Sequence, residues 1–286
     1  MSRIQDSLKR IEHEQDASEH TGIALHGPEV GFIGPIAVES AAEDFASQAA
    51  AASVPLGDSL ASEESLERCF QASWSPDRKS ILFGDGQDGR GAEEFRALRA
   101  KLYQGREKKR LKKILITSSM PKEGRSFVAA NLAHVLALQP ACRVLLIDAD
   151  LRNPGLHDVL GTSATPGLAE YLLGGVEEFV VMQRGQMENL FFVPSGLAVA
   201  NPTEAVSNGR VRSLLDGVES LFDWIVIDSP AAIPFSDAGH LATYCDGVLM
   251  VVRSNATAFD IARKALRRFR QEDILGVLLN GAKTES

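Results

Sequence analysis

Five short, nearly unbroken apolar runs, 114–117 (ILIT), 144–147 (VLLI), 224–227 (WIVI), 248–252 (VLMVV) and 274–279 (ILGVLL), are separated by longer stretches with helical spacing. A half-exposed strand alternates apolar with polar residues, whereas a strand that is apolar throughout has to be covered on both faces. Such runs alternating with helices predict an α/β fold, a mostly parallel sheet with helices on both faces. Two of the helices are expected at 92–104 (AEEFRALRAKLYQ) and at 127–138 (FVAANLAHVLAL).

This alternation starts only at residue 91, so the domain is expected over 91–286. Residues 1–15 (MSRIQDSLKRIEHEQ) place Ile4, Leu8 and Ile11 at helical spacing, a short amphipathic helix. Such a helix is marginal alone and suits docking on a partner, with packing of Ile4, Leu8 and Ile11 on the chain's own core as the alternative. Residues 16–90 are rich in Ala, Ser, Gly, Asp and Glu without a sustained period, which predicts a largely disordered, flexible acidic linker. Charge follows the same division. Residues 1–90 hold 7 Lys+Arg against 16 Asp+Glu, a net of −9 against −8 for the whole chain, so the remainder is near +1. Within the linker, Phe70, Trp74, Ile81, Leu82 and Phe83 either dock on the domain or form an incidental cluster.

No window approaches the roughly 18 apolar residues of a membrane helix, and the first 30 residues lack a secretory apolar stretch, so a cytoplasmic location is expected. The acidic balance argues against nucleic acid as a partner. Cys69, Cys142 and Cys245 have neither disulfide arithmetic nor metal-ligand spacing and are expected as packed residues. Six cations, Arg106, Lys108, Lys109, Arg110, Lys112 and Lys113, precede the first strand; a solvated junction is the expectation, contact with anionic lipid the alternative.

The first strand runs into 117–126 (TSSMPKEGRS) and then a helix. Strand, tight polar loop and helix start make a phosphate cradle, because the unpaired amides of a helix N-terminus point at an anion. The pattern G-x-x-x-x-G-K-[ST] is half met: Ser119 stands where the first glycine belongs and Arg125 where the lysine belongs. The second strand ends in Asp148-Ala149-Asp150 and the third in Asp228-Ser229-Pro230. Carboxylates at the ends of neighbouring parallel strands gather where such sheets bind ligands, within reach of Mg²⁺ beside a phosphate.

These pieces, with EEFRALRAKL (93–102), NLA (131–133), VLLIDADLRNPGLH (144–157), NPTE (201–204), FDWIVIDSP (222–230), SDA (236–238) and DGVLMVVRSNAT (246–257), resemble the bacterial tyrosine kinases of capsule and exopolysaccharide systems. That family is related to the septum-site and plasmid-partition ATPases. The resemblance covers about 91–281 and implies a cofactor pair, ATP and Mg²⁺. It implies a cradle of Ser119, Pro121, Lys122, Glu123, Gly124, Arg125, Ser126 and Phe127, with Arg253 and Asn280 beside the adenine. Ser126, Asp148 and Asp228 would serve the metal, and Asp148, Asp150 and Arg125 the transfer of phosphate to tyrosine. Glu93, Arg96 and Arg99 match the family's ring-forming E-x-x-R-x-x-R, with an intrahelical charge pattern as the alternative. A membrane polysaccharide co-polymerase is the implied partner, recruiting the chain to the inner face of the membrane.

Three departures bear on activity. The family loop reads PGEGKS, so Arg125 replaces a compact ammonium by a bulkier planar guanidinium. Lys122 replaces a glycine, which is strained if the loop needs positive φ there. The family's tyrosine-rich tail is replaced by NGAKTES (280–286), and Tyr103, Tyr171 and Tyr244 lie in helical stretches where packing is expected. The leading expectation is therefore a nucleotide-binding regulator of exopolysaccharide or capsule production with impaired kinase activity. The alternatives are an active kinase on another protein and a structural partner that no longer binds nucleotide.

Overall fold

A computed structural model describes residues 63–76 and 90–281. The amphipathic segment 1–15 and the cluster 81–83 lie outside the described residues. Eight strands form one sheet: β1 (Phe70–Gln71), β2 (Lys113–Ser118), β3 (Val144–Asp148), β4 (Gln183–Arg184), β5 (Leu190–Val193), β6 (Trp224–Asp228), β7 (Gly247–Arg253) and β8 (Ile274–Asn280). Their order is β1-β4-β5-β3-β6-β2-β7-β8, and every pairing is parallel except β4 with β5. The five predicted strands are β2, β3, β6, β7 and β8.

Alternate residues of the apolar strands face opposite layers. Ile114, Ile116, Val144, Leu146, Trp224 and Val226 pack beneath α1 (Arg90–Arg106) and α2 (Arg125–Ala137). Leu115, Leu145, Ile147, Ile225 and Ile227 face the other layer with Leu168, Leu172, Val211, Leu214 and Leu215. Each such side chain, once fully buried, contributes about 1.5–3 kcal/mol. This two-sided covering is why the strands carry no polar alternation. α2 lies against the middle of the sheet and buries residues on all sides, so its placement, and that of the loop before it, is fixed by packing.

Residues 63–76 depart from the predicted linker. Glu63–Arg68 form a 3-10 helix, and β1 adds to the sheet edge through Phe70 N–H to Met182 O (3.0 Å) and Ala72 N–H to Arg184 O (2.9 Å). Trp74 is buried edge-on to Phe192, with ring centroids 6.3 Å apart, and its indole covers Gly185, whose missing Cβ leaves the necessary room. Leu66 and Cys69 are buried as well, while Phe70 faces outward. Trp74 thus follows the docking reading while Phe70 does not, and the main-chain pairing that completes the hold leaves no mark on composition.

The cation-rich junction is tied down internally. Glu219 pairs with Arg110 and with Lys113 (3.0 Å), its carbonyl accepts Lys112 Nζ (2.7 Å), and Lys109 Nζ reaches the carbonyls of Asp246 and Glu272 (3.2 Å each). Tyr103 stacks edge-on to Trp224 and accepts its indole N–H at 3.2 Å, Tyr171 is buried, and Tyr244 packs against the core. Cys69 and Cys142 are buried and Cys245 is partly buried; all three are free thiols. Among the described residues no helix is long and apolar enough to cross a membrane.

Candidate functional site: a phosphate-type loop over three carboxylates

The register of the central strands sets the site. Asp148 on β3 and Ile116 on β2 are both register partners of Asp228 on β6. Residues at one level of a parallel sheet point the same way, so Asp148 and Asp228 stand side by side at the carboxyl end of the sheet, on the α2 side. The loop from β2 to α2 crosses directly over them.

Glu123, itself buried, fastens this loop. One carboxylate oxygen accepts Met120 N–H (2.9 Å), the other accepts the Thr257 hydroxyl, and its carbonyl accepts Asn280 Nδ2 (2.9 Å). Arg253 Nη1 donates to Lys122 O (3.2 Å), and Arg253 and Asn280 are register partners at the ends of β7 and β8. Gly124 caps α2 at φ 91°, and a Cβ there would meet Asn280 Nδ2 at 2.0 Å. Lys122 sits at φ 68° with its side chain exposed, so the position that takes glycine in the related loop does require the left-handed conformation here. The first amides of α2 have no partner within the helix and supply the anion-binding end of its dipole.

The three carboxylates beneath the loop are buried and differ in what they hold. Asp148 accepts the Asp150 amide on one oxygen (3.2 Å) and the Gly155 and Leu156 amides on the other (3.2 and 3.1 Å). Burial raises its pKa to about 6, against the opposing pull of those last two amides. Asp150 accepts the Arg152 and Asn153 amides (3.1 and 3.0 Å) on one oxygen and the Arg125 guanidinium on the other. Asp228 has both oxygens buried, and burial pushes it up to about 7; Arg125 and the Ser126 hydroxyl oppose the rise and the neighbouring Asp148 charge adds to it. Arg125 Nε stands 3.7 Å from Asp228 Oδ1.

Of the expected site residues, Ser119, Lys122, Glu123, Gly124, Arg125, Ser126, Asp148, Asp150, Asp228, Arg253 and Asn280 therefore lie at one end of the sheet. Pro121 is exposed at the tip of the loop. Phe127 turns away from the cradle and packs edge-on to Phe95 of α1. The donor set suits a hydrated Mg²⁺ at Asp228, a hard-oxygen ligand beside the Ser126 hydroxyl. Asp150 is already paired with Arg125, and Asp148 is committed to shaping 150–156.

The segments 201–204 and 236–238 carry no assigned role in the sequence. In the structure Arg152 joins them: its Nε pairs with Asp237 (2.7 Å), its Nη2 reaches the Thr203 hydroxyl (2.8 Å), and that hydroxyl donates to Asp237 (2.5 Å), with Phe235 stacked beneath the guanidinium at 4.1 Å. An open groove of about 460 Å³ follows along Asn201, Thr203, Glu204 and Ser207. On α1, Arg96 pairs with Glu93 within the helix, and Arg99 Nη1 donates to Val135 O on α2 (2.8 Å).

No family model matches the chain. It is 32% identical over 194 residues to the tyrosine-protein kinase YwqD of Bacillus subtilis, covering 67% of this chain and 81% of YwqD. Over 192 residues it is 32% identical to the tyrosine-protein kinase CpsD of Streptococcus agalactiae, covering 66% of this chain and 82% of CpsD. The putative tyrosine-protein kinase EpsB of Ralstonia solanacearum is 29% identical across 94% of this chain, which spans 32% of EpsB, about a third of that relative's length. Among solved structures, the kinase domain of the Escherichia coli tyrosine kinase ETK superposes with a TM-score of 0.67 at 27% identity, over 74% of this chain and 85% of that one. The septum-site-determining protein MinD of Pyrococcus horikoshii, solved with Mg-ADP, shares the fold at a TM-score of 0.52 and 23% identity, over 59% and 70% of the two chains. With its loop-and-carboxylate geometry and its match to most of YwqD and CpsD, the chain belongs to the bacterial tyrosine kinase family.

Proposed function

We propose that this domain binds ATP with Mg²⁺ and transfers phosphate poorly, acting in the cytoplasm as a regulator of exopolysaccharide or capsule production beside a membrane co-polymerase. The observation that carries this reading is Arg125, which occupies the lysine position of a cradle whose loop is still fastened by Glu123 and turns inward onto Asp150. The amides at the start of α2 and the fastening of the loop by Glu123 favour the phosphates. Ser126 and Asp228 would hold Mg²⁺, which when bound screens phosphate charge. Transfer further asks for a cation on the leaving and migrating phosphates and for a free carboxylate near the acceptor hydroxyl. A guanidinium paired with Asp150 withholds both. Arg96 would contribute to contacts between copies once released from Glu93.

Calorimetric titration of the full chain with a non-hydrolysable ATP analogue and Mg²⁺ tests the reading. One site per chain, tightened in Arg125→Lys, is expected. Absence of binding heat in both forms, with unchanged circular dichroism, overturns it in favour of a structural partner without nucleotide.

A further inference from the structure

Arg125 touches two of the three buried carboxylates, pairing with Asp150 through Nη2 and standing 3.7 Å from Asp228 through Nε. It is itself 8% exposed and its Nε has no hydrogen-bond acceptor among the described residues. The guanidinium therefore lies between Asp150 and Asp228 and, among the described residues, is the cation that pairs with both. Asp228 has no closer ion pair among the described residues, so Arg125 at 3.7 Å and the Ser126 hydroxyl are what offset its charge.

A divalent ion held by Asp228 beside Ser126 would enter the region that the guanidinium now occupies. Two cations so close repel each other strongly in a buried site. The conflict can be relieved by rotation of Arg125 away from Asp150, which breaks a buried ion pair, or by exclusion of the metal. A lysine ammonium is a point charge on a flexible stem and cannot span both carboxylates as the planar fork does.

We infer that Arg125 is an internal competitor of the divalent cation, a residue that sets the metal requirement of this site by claiming the same carboxylates. The inference deepens the nucleotide-binding reading and rests on it for the site's purpose. Its consequence is that metal enters only with displacement of Arg125 from Asp150.

The test uses the full chain and Mn²⁺ as the probe, its binding followed by electron paramagnetic resonance of the free ion, first alone and then with ADP. Arg125→Lys keeps the charge and Arg125→Gln removes it, and both should bind Mn²⁺ at least about tenfold more tightly than the wild type, the scale expected for removing a buried competing pair. A gain in Arg125→Gln alone means that simple charge repulsion governs the site and overturns the competitor role. Equal Mn²⁺ affinity in all three forms overturns it too. Because Mn²⁺ is measured first without nucleotide, a failure of ADP to bind any form defeats the proposed function while the metal comparison still decides this inference.

Discussion

Replacing Lys122 by glycine should make the domain more stable, although it deletes a whole side chain from a loop at the heart of the candidate site. Lys122 holds φ 68° and is exposed, and its side chain makes no hydrogen bond or ion pair among the described residues; only its carbonyl is used, by Arg253. An L-residue in the left-handed region costs roughly 1–2 kcal/mol. Glycine removes that cost but adds about 0.4–1 kcal/mol of unfolded-state freedom. The net gain is about 0.5–1 kcal/mol, which for a domain of this size raises Tm by about 1–4 °C. Differential scanning calorimetry of Lys122→Gly against Lys122→Ala isolates the cause, since alanine removes the charge and keeps the strain. The alanine variant should stay near the wild type. An equal rise in both variants would assign the effect to charge, and a fall in Lys122→Gly would refute the reasoning.

Further outcomes follow from the same geometry. Asp148 and Asp228 have folded-state pKa values raised above the ordinary carboxylate value of 3.8, to about 6 and about 7, so the stability linked to their protonation is complete at low pH and is lost as pH rises toward 7. In the presence of a chelator Tm should fall between pH 5 and 8, and Asp228→Asn should flatten that fall and raise Tm at pH 8; an identical slope in the variant would contradict this assignment. Trp74→Ala should cost about 3–5 kcal/mol in urea denaturation, as for a core aromatic, whereas a loss below about 0.5 kcal/mol would return residues 63–76 to the linker. Arg96→Glu should lower the mass measured by light scattering at high protein concentration with nucleotide; the same mass as wild type would leave Glu93–Arg96 as an intrahelical pair only.

Burial on both faces removes polar residues from β2, β3, β6 and β7, which makes 114–117, 144–147, 224–227 and 248–252 legible as strands; 274–279 also lies within a strand, although β8 at the sheet edge is only partly buried. β5 (LFFV) is just as apolar and no shorter than 114–117, 144–147 or 224–227, yet it is absent from the predicted strands, because a short apolar run by itself does not separate a buried strand from a buried helix segment. β1 and β4 are two residues each and are held by main-chain pairing, which leaves no side-chain pattern. In the site, the gathering of Asp148 and Asp228 could be read from strand ends, since parallel register enforces it. The direction of Arg125 could not, because a guanidinium over a phosphate and one over Asp150 are written with the same letters. The fastening by Glu123 and Thr257 is also invisible, as it joins residues 134 positions apart. For Lys122, the sequence posed the condition of positive φ, and the backbone answers it.

On the proposed function, this member of the family binds nucleotide in a cradle whose own loop holds phosphate transfer back. That reading is tested most directly by single-turnover transfer of labelled phosphate from ATP to a tyrosine-containing copolymer, comparing the wild type with the Lys122→Gly, Arg125→Lys double variant. Restoring a point cation and freeing Asp150 should accelerate transfer by about a hundredfold or more, the scale of one electrostatic group in a transition state. A wild type that already transfers phosphate as fast as the double variant would contradict the account.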